Sequence, residues 1–176
     1  MIMAQSAGSF WMPPQASTSA QEVDWVFYFV YWIAVFFFLL IVGIMTVFVI
    51  KYRRREGWEE EQTTESHTAL EITWTVIPIL IVLVIFFFGF RTYMDLHLAP
   101  GNTLDIWVTG QKWQWFFKYP NGHIDENLHI PVDTPVKLII SSEDVTHSLF
   151  IPAFRLKMDA VPGRLTSAWA KATQTG

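Results

Sequence analysis

Four groups of residues in this 176-residue chain are of types that could carry chemistry. His147 stands in SSEDVTHSLFIPAFRLKMDAVPGR (141–164), at the head of an apolar stretch. A neutral imidazole nitrogen is a good metal ligand, yet a lone histidine on a strand is more often a structural or solvated residue. No HxxH or carboxylate cluster adjoins it, so spacing alone builds no metal site. The chain has no cysteine, which excludes disulfides, thiolate metal sites and cysteine catalysis within these residues. Trp113 and Trp115 fall at i and i+2, on one face of an extended strand, where paired tryptophans are usually packing residues. An exposed tryptophan can instead serve as a contact for a partner. Glu71 precedes a long apolar run; it reads either as a helix-capping carboxylate or as a proton-collecting group at a membrane surface. Glu143 and Asp144 form a short acidic pair, ordinarily solvated, that could steer a cationic partner through a local patch.

The elements that must position these residues are legible in the charge pattern. The chain is 52% hydrophobic and only 16% charged, and the apolar excess is concentrated. No charged residue occurs from Trp25 to Ile50, or from Ile72 to Phe90. At about 1.5 Å per residue these runs reach about 39 Å and 28 Å, against a hydrocarbon core of roughly 30 Å. Both therefore predict membrane spans, and the flanking polar sequence is too short to wrap two buried core helices. Lys51, Arg53, Arg54 and Arg55 follow the first run, whereas residues 1–50 contain no Lys or Arg. The positive-inside rule then puts the connecting loop in the cytoplasm and both termini outside. Thr68 and Glu71 fit a capping box that opens the second helix, with Thr68 as the cap. Pro78 lies inside the second run, where a membrane helix tolerates it if a neighbour satisfies the freed carbonyl.

Beyond Pro100 the periodicity changes to two. TLDIWVTG alternates apolar and polar residues, KWQWFFKYPNG ends in the hairpin signal Asn121-Gly122, and TPVKLIISS and HSLFIPAF read as further strands. The expected division is an external tail over 1–24, a transmembrane helical hairpin over 25–95 (spans about 25–50 and 70–90), and an external all-β domain over 96–176. The net charge of −4, with no basic stripe, argues against nucleic acid as a partner.

The assembled motifs resemble subunit II of the haem-copper cytochrome c oxidases. The resemblance is carried by LEITWTVIP (70–78), TGQKWQWFFKYP (109–120) and SSEDVTHSLFIPAFRLKMDAVPGR (141–164), in the family's order and spacing, and it covers most of residues 25–176. It implies a cupredoxin-like Greek-key β-barrel after the two transmembrane helices. It also implies a dinuclear copper centre that receives electrons from cytochrome c and passes them to haem and copper in subunit I, where oxygen is reduced and protons are pumped. Under it, His147 matches a copper ligand and Trp113 the electron-entry residue. Asp159 matches a residue near a magnesium or manganese site shared with subunit I. Glu71 matches the carboxylate at the mouth of a proton path, and Glu143 and Asp144 fall where cytochrome c docks. The expected partners are subunit I, the other oxidase subunits, cytochrome c and the lipid bilayer, in a bacterial-type plasma membrane or a mitochondrial inner membrane.

The sequence departs from that family at one place. The remaining copper ligands of the family are two cysteines, a second histidine, a methionine and a backbone carbonyl, in one segment. This chain stops at ATQTG (172–176), where that segment would begin, and none of His67, His97, His123 and His129 takes the second histidine's place. The expectation is a chain truncated before the cysteine segment, with the β-barrel incomplete at its C-terminus. The alternatives are a copper-less subunit II of a quinol oxidase with a structural β domain, or a membrane-anchored binding or assembly module. Quinol-oxidase relatives generally lose the histidine and acidic pair of SEDVTHS, and both are present here.

Overall fold

The computed structural model describes residues 8–54, 57 and 66–175. The chain divides into two units, one of residues 1–25 and 90–176, the other of residues 26–89. Arg55 of the predicted basic cluster, and most of the acidic run after it, lie outside the described residues.

The unit of residues 26–89 is made of the two apolar helices, α1 (Thr18–Lys51) and α2 (Thr68–His97), less their outer ends. Both are long and apolar enough to cross a membrane, and their most apolar stretches are not buried within the protein. Large apolar side chains stand exposed along them, among them Trp32, Phe38 and Val49 on α1 and Trp74, Leu83 and Phe86 on α2. A helix that is apolar all round requires a nonaqueous surrounding. Phe29 meets Phe88 edge to face, with ring centroids 5.9 Å apart. Pro78 sits within α2, which continues unbroken to His97.

The start of α2 differs from the expected capping box. Thr68 is already helical, and the cap is His67, whose carbonyl accepts the Glu71 N–H at 3.0 Å. The Leu70 N–H points at His67 Nδ1, at 3.4 Å. The imidazole thus takes the place expected of the threonine hydroxyl, and Glu71 falls one position further along. Its carboxylate still stands in the first turn, where the helix dipole favours negative charge.

The β unit follows the alternation read from the sequence. Its strands are β1 (Leu104–Gln111), β2 (Gln114–Lys118), β3 (Ile124–Asp125), β4 (Pro135–Ser142), β5 (His147–Ile151), β6 (Leu156–Ala160) and β7 (Thr166–Lys171), with a 3-10 turn at Pro152–Phe154. Five strands form one sheet in the order β3-β2-β1-β4-β7, and β5 pairs with β6 as a separate hairpin. β1 runs parallel to β4, and β4 antiparallel to β7, so neighbours in the sheet are not neighbours in sequence. Crossovers of this kind are what the Greek-key expectation requires. Ile106 and Val108 of β1, Val136, Leu138 and Ile140 of β4, and Ala168 and Ala170 of β7 point into the core at intervals of two. Leu149, Leu156 and Ala160 come in from β5 and β6, so the hairpin covers that face of the sheet. Asn121-Gly122 makes the predicted turn: Gly122 has φ 84°, and Tyr119 N–H bonds to His123 carbonyl at 2.9 Å.

Candidate functional site

The site is built where the β1–β2 turn meets the start of β5. β1 and β2 pair in the register Gln111↔Gln114, which leaves Lys112 and Trp113 as a two-residue turn. The expectation that Trp113 and Trp115 share one strand face therefore fails at Trp113. The chain reverses there, and only Trp115 lies on β2. Trp113 is 96% exposed and has φ 78°. That φ suits the third residue of a type II turn, which favours Gly or Asn. A bulky residue held at positive φ is strained, and such strain concentrates at functional sites.

Asp144 ties this turn to the histidine. Its Oδ2 accepts the Lys112 N–H at 2.7 Å, and its Oδ1 lies 2.6 Å from His147 Nε2. Oδ1 also accepts the Val145 N–H at 2.6 Å. The bond from His147 holds the Asp144 carboxyl well below the usual carboxylate range; partial desolvation opposes this, and the Val145 and Lys112 amides add to it. An ionised carboxylate only accepts, so His147 Nε2 carries the proton of that bond. In the neutral ring Nδ1 is then the lone-pair nitrogen. A carboxylate that fixes the tautomer is the usual setting of a metal-ligating histidine.

Trp115 and Gly110 complete the surroundings of the ring. Trp115 stands edge-on to His147, with centroids 5.9 Å apart and planes at 69°. A β-carbon on Gly110 would come within 3.0 Å of Trp115 Cζ3 and 3.2 Å of His147 Cδ2. The missing side chain is what lets the two rings approach. Neither Gly110 nor Trp115 was singled out by sequence for this. The available signal was a glycine ahead of the aromatic pair, and a turn glycine would look the same.

The other candidates lie as follows. Glu143 accepts a hydrogen bond from the Gln111 side-chain amide, and its N–H donates to the Gly110 carbonyl at 3.1 Å. Glu143 and Asp144 thus flank the Trp113 turn. Asp159 is exposed on β6, across from Ser148, and its carbonyl accepts the Thr166 hydroxyl at 2.6 Å. Glu71 is exposed at the start of α2 and belongs to the other unit. Trp113, Glu143, Asp144 and His147 come together.

A dinuclear copper centre can be tested against these donors. His147 offers one imidazole, with its tautomer fixed. No group of three His, Cys, Asp or Glu among the described residues could hold a metal ion, and the 176 residues include no thiolate. One imidazole alone does not fit a site that needs bridging soft ligands.

Comparison with known proteins places the chain among relatives. The family model described as cytochrome c oxidase subunit II, transmembrane domain, matches residues 4–92, and that of its periplasmic domain matches residues 122–176. Cytochrome c oxidase subunit 2 of Thermostichus vulcanus is 32% identical, over 96% of this chain and 70% of that protein. The same subunit of Synechocystis sp. is 31% identical, over 87% of this chain and 61% of that protein. Quinol oxidase subunit 2 of Bacillus subtilis is 34% identical, over 94% and 54% respectively. The chain thus spans between about half and 70% of the length of these relatives. Two membrane-spanning helices, a β domain behind them and matches at both ends agree: the chain belongs to the cytochrome c oxidase subunit II family.

Proposed function

We propose that this chain is the electron-entry subunit of a membrane-bound terminal oxidase that takes electrons from cytochrome c. The observation that carries the reading is Trp113. Its ring is almost wholly in solvent and makes no core contact that would repay a positive φ. A partner's redox group could stack on or abut this ring. From Trp113 the path inward uses only this chain: the peptide to Lys112, the 2.7 Å hydrogen bond to Asp144, and the 2.6 Å hydrogen bond to His147. Asp144 has two roles here. It adds negative charge beside Trp113 with Glu143, suited to a basic cytochrome, and it holds both the turn and the imidazole in place.

Within the complex, copper would supply the electron relay of the family, with His147 as one of its ligands. The other donors are not among these residues. Asp159, exposed on β6, is assigned to the contact with subunit I near a magnesium or manganese ion. Glu71 is assigned to the entrance of a proton path, on the side that the Lys51–Arg54 charges assign to the cytoplasm. Reduction of oxygen to water and proton pumping belong to subunit I and the assembled complex.

A second reading, a quinol oxidase subunit, is favoured by the 34% identity to the Bacillus subtilis protein. The two are separated by supplying the purified complex with reduced cytochrome c or with a quinol. Oxidation of cytochrome c, saturable and weakened by salt as expected for an electrostatic encounter, supports the first. Oxidation of quinol alone supports the second.

A further inference from the structure

The polar stretch before the first span is held against the β unit. Ala16 N–H donates to the Ala153 carbonyl at 2.9 Å, and Thr173 N–H donates to the Ala16 carbonyl at 3.0 Å. Ser17 Oγ accepts the Ala20 N–H at 3.2 Å, so it caps α1, and it donates to the Phe154 carbonyl at 3.1 Å. The centre of this arrangement is an ion pair shielded from water: the side chains of Arg155 and Asp24 are 6% and 9% exposed. Arg155 Nε and Nη2 grip the two Asp24 oxygens at 2.7 and 2.8 Å. Nη2 also donates to the Pro13 carbonyl and Nη1 to the Pro152 carbonyl, both at 2.7 Å. Gln15 Nε2 adds a third donor to Asp24 at 2.8 Å.

The placement of the two charged residues gives the network its meaning. Arg155 adopts φ 56° at the corner where the 3-10 turn passes into β6, between the strand that starts at His147 and the one that carries Asp159. Asp24 is the last charged residue before the charge-free run that starts at Trp25. One bidentate contact therefore joins the base of the first membrane helix to the hairpin of the candidate site. A planar guanidinium matches this fork; an ammonium could not serve both carboxylate oxygens and both carbonyls in the same geometry.

We propose that residues 13–24 form a strap and that Arg155 is its clasp, a conformational device that fastens the β5–β6 corner to the first turns of α1. Release of the clasp frees the strap while the sheet stays folded.

Hydrogen exchange on the full-length protein in its membrane complex tests it. The strap is read at the amides of Ala16 and Thr173, and the sheet at Ile106 and Leu138. Asp24→Asn keeps the shape and removes the charge; Arg155→Met removes every donor. Each leaves one buried partner uncompensated, and the opening constant of the strap should rise about a hundredfold. The sheet amides should exchange as in the wild type. Gln15→Ala, which removes one donor from Asp24, and Arg155→Lys should fall between. Wild-type exchange at Ala16 and Thr173 in both strong variants overturns the proposal. So does an equal rise at strap and sheet, which would make the network part of the global core. Should Arg155→Met fail to assemble, Gln15→Ala and Asp24→Asn still decide.

Discussion

Gly110→Ala tests whether the missing β-carbon is what brings Trp115 against His147. The new methyl carbon would sit 3.0 Å and 3.3 Å from Trp115 Cζ3 and Cη2, and 3.2 Å from His147 Cδ2. Unstrained carbon pairs sit at about 3.5–4.0 Å, so both rings must move by several tenths of an ångström. Overpacking of this kind costs about 1–3 kcal/mol. Alanine returns about 0.5–1 kcal/mol, because glycine loses more backbone freedom on folding. The expected net loss is about 1–2 kcal/mol. It should appear in thermal unfolding of the detergent-solubilised protein, with an altered near-ultraviolet tryptophan signal. Because Cδ2 adjoins Nε2, the Nε2–H resonance of His147 should shift as well. In a Trp115→Phe background, which deletes the clashing half of the indole, the penalty should shrink by about 1 kcal/mol as coupled neighbours require. A Gly110→Ala protein as stable as wild type would show that the missing β-carbon does not set the approach of the two rings. An identical cost in the Trp115→Phe background would show the same.

Trp113→Gly should stabilise the β unit by about 0.5–1 kcal/mol, since relief of about 1–2 kcal/mol at φ 78° exceeds the added chain entropy, while electron entry falls. Asp144 has a depressed folded-state pKa, so its contribution is complete above the ordinary carboxylate value and is lost as pH falls through the folded value beneath it. An acid titration of the Lys112 amide and His147 ring resonances should show that loss, and in Asp144→Asn neither resonance should show a transition from this carboxyl. Replacing Glu71 by alanine should slow turnover of the complex and leave assembly intact; loss of the subunit from the membrane would instead indicate a structural role at the start of α2.

The elements that repeat a pattern were legible in the sequence, and contacts made across the fold were not. The charge-free runs of 25–50 and 72–90 lie within α1 and α2, and period-two alternation in TLDIWVTG and TPVKLIISS gave β1 and β4. Reversals were harder. Lys112-Trp113 contains neither Gly nor Asn, so the turn that exposes Trp113 read as a continuing strand. His67 took the cap from Thr68 because an imidazole nitrogen can accept the same kind of amide bond, which no Ser/Thr pattern anticipates. The motif containing His147 pointed to the site. Asp144, three residues before it, read as surface charge because its partner amide at Lys112 is 32 residues away. The Asp24–Arg155 clasp, 131 residues apart, left no local trace.

Electron entry at Trp113 is read most directly in the rate at which reduced cytochrome c delivers its first electron to the assembled oxidase, followed by stopped flow in Trp113→Phe and Trp115→Phe. Trp113→Phe should slow this step far more than Trp115→Phe, with the β unit folded in both. Equal rates in the two variants, or wild-type entry in Trp113→Phe, would contradict entry at Trp113.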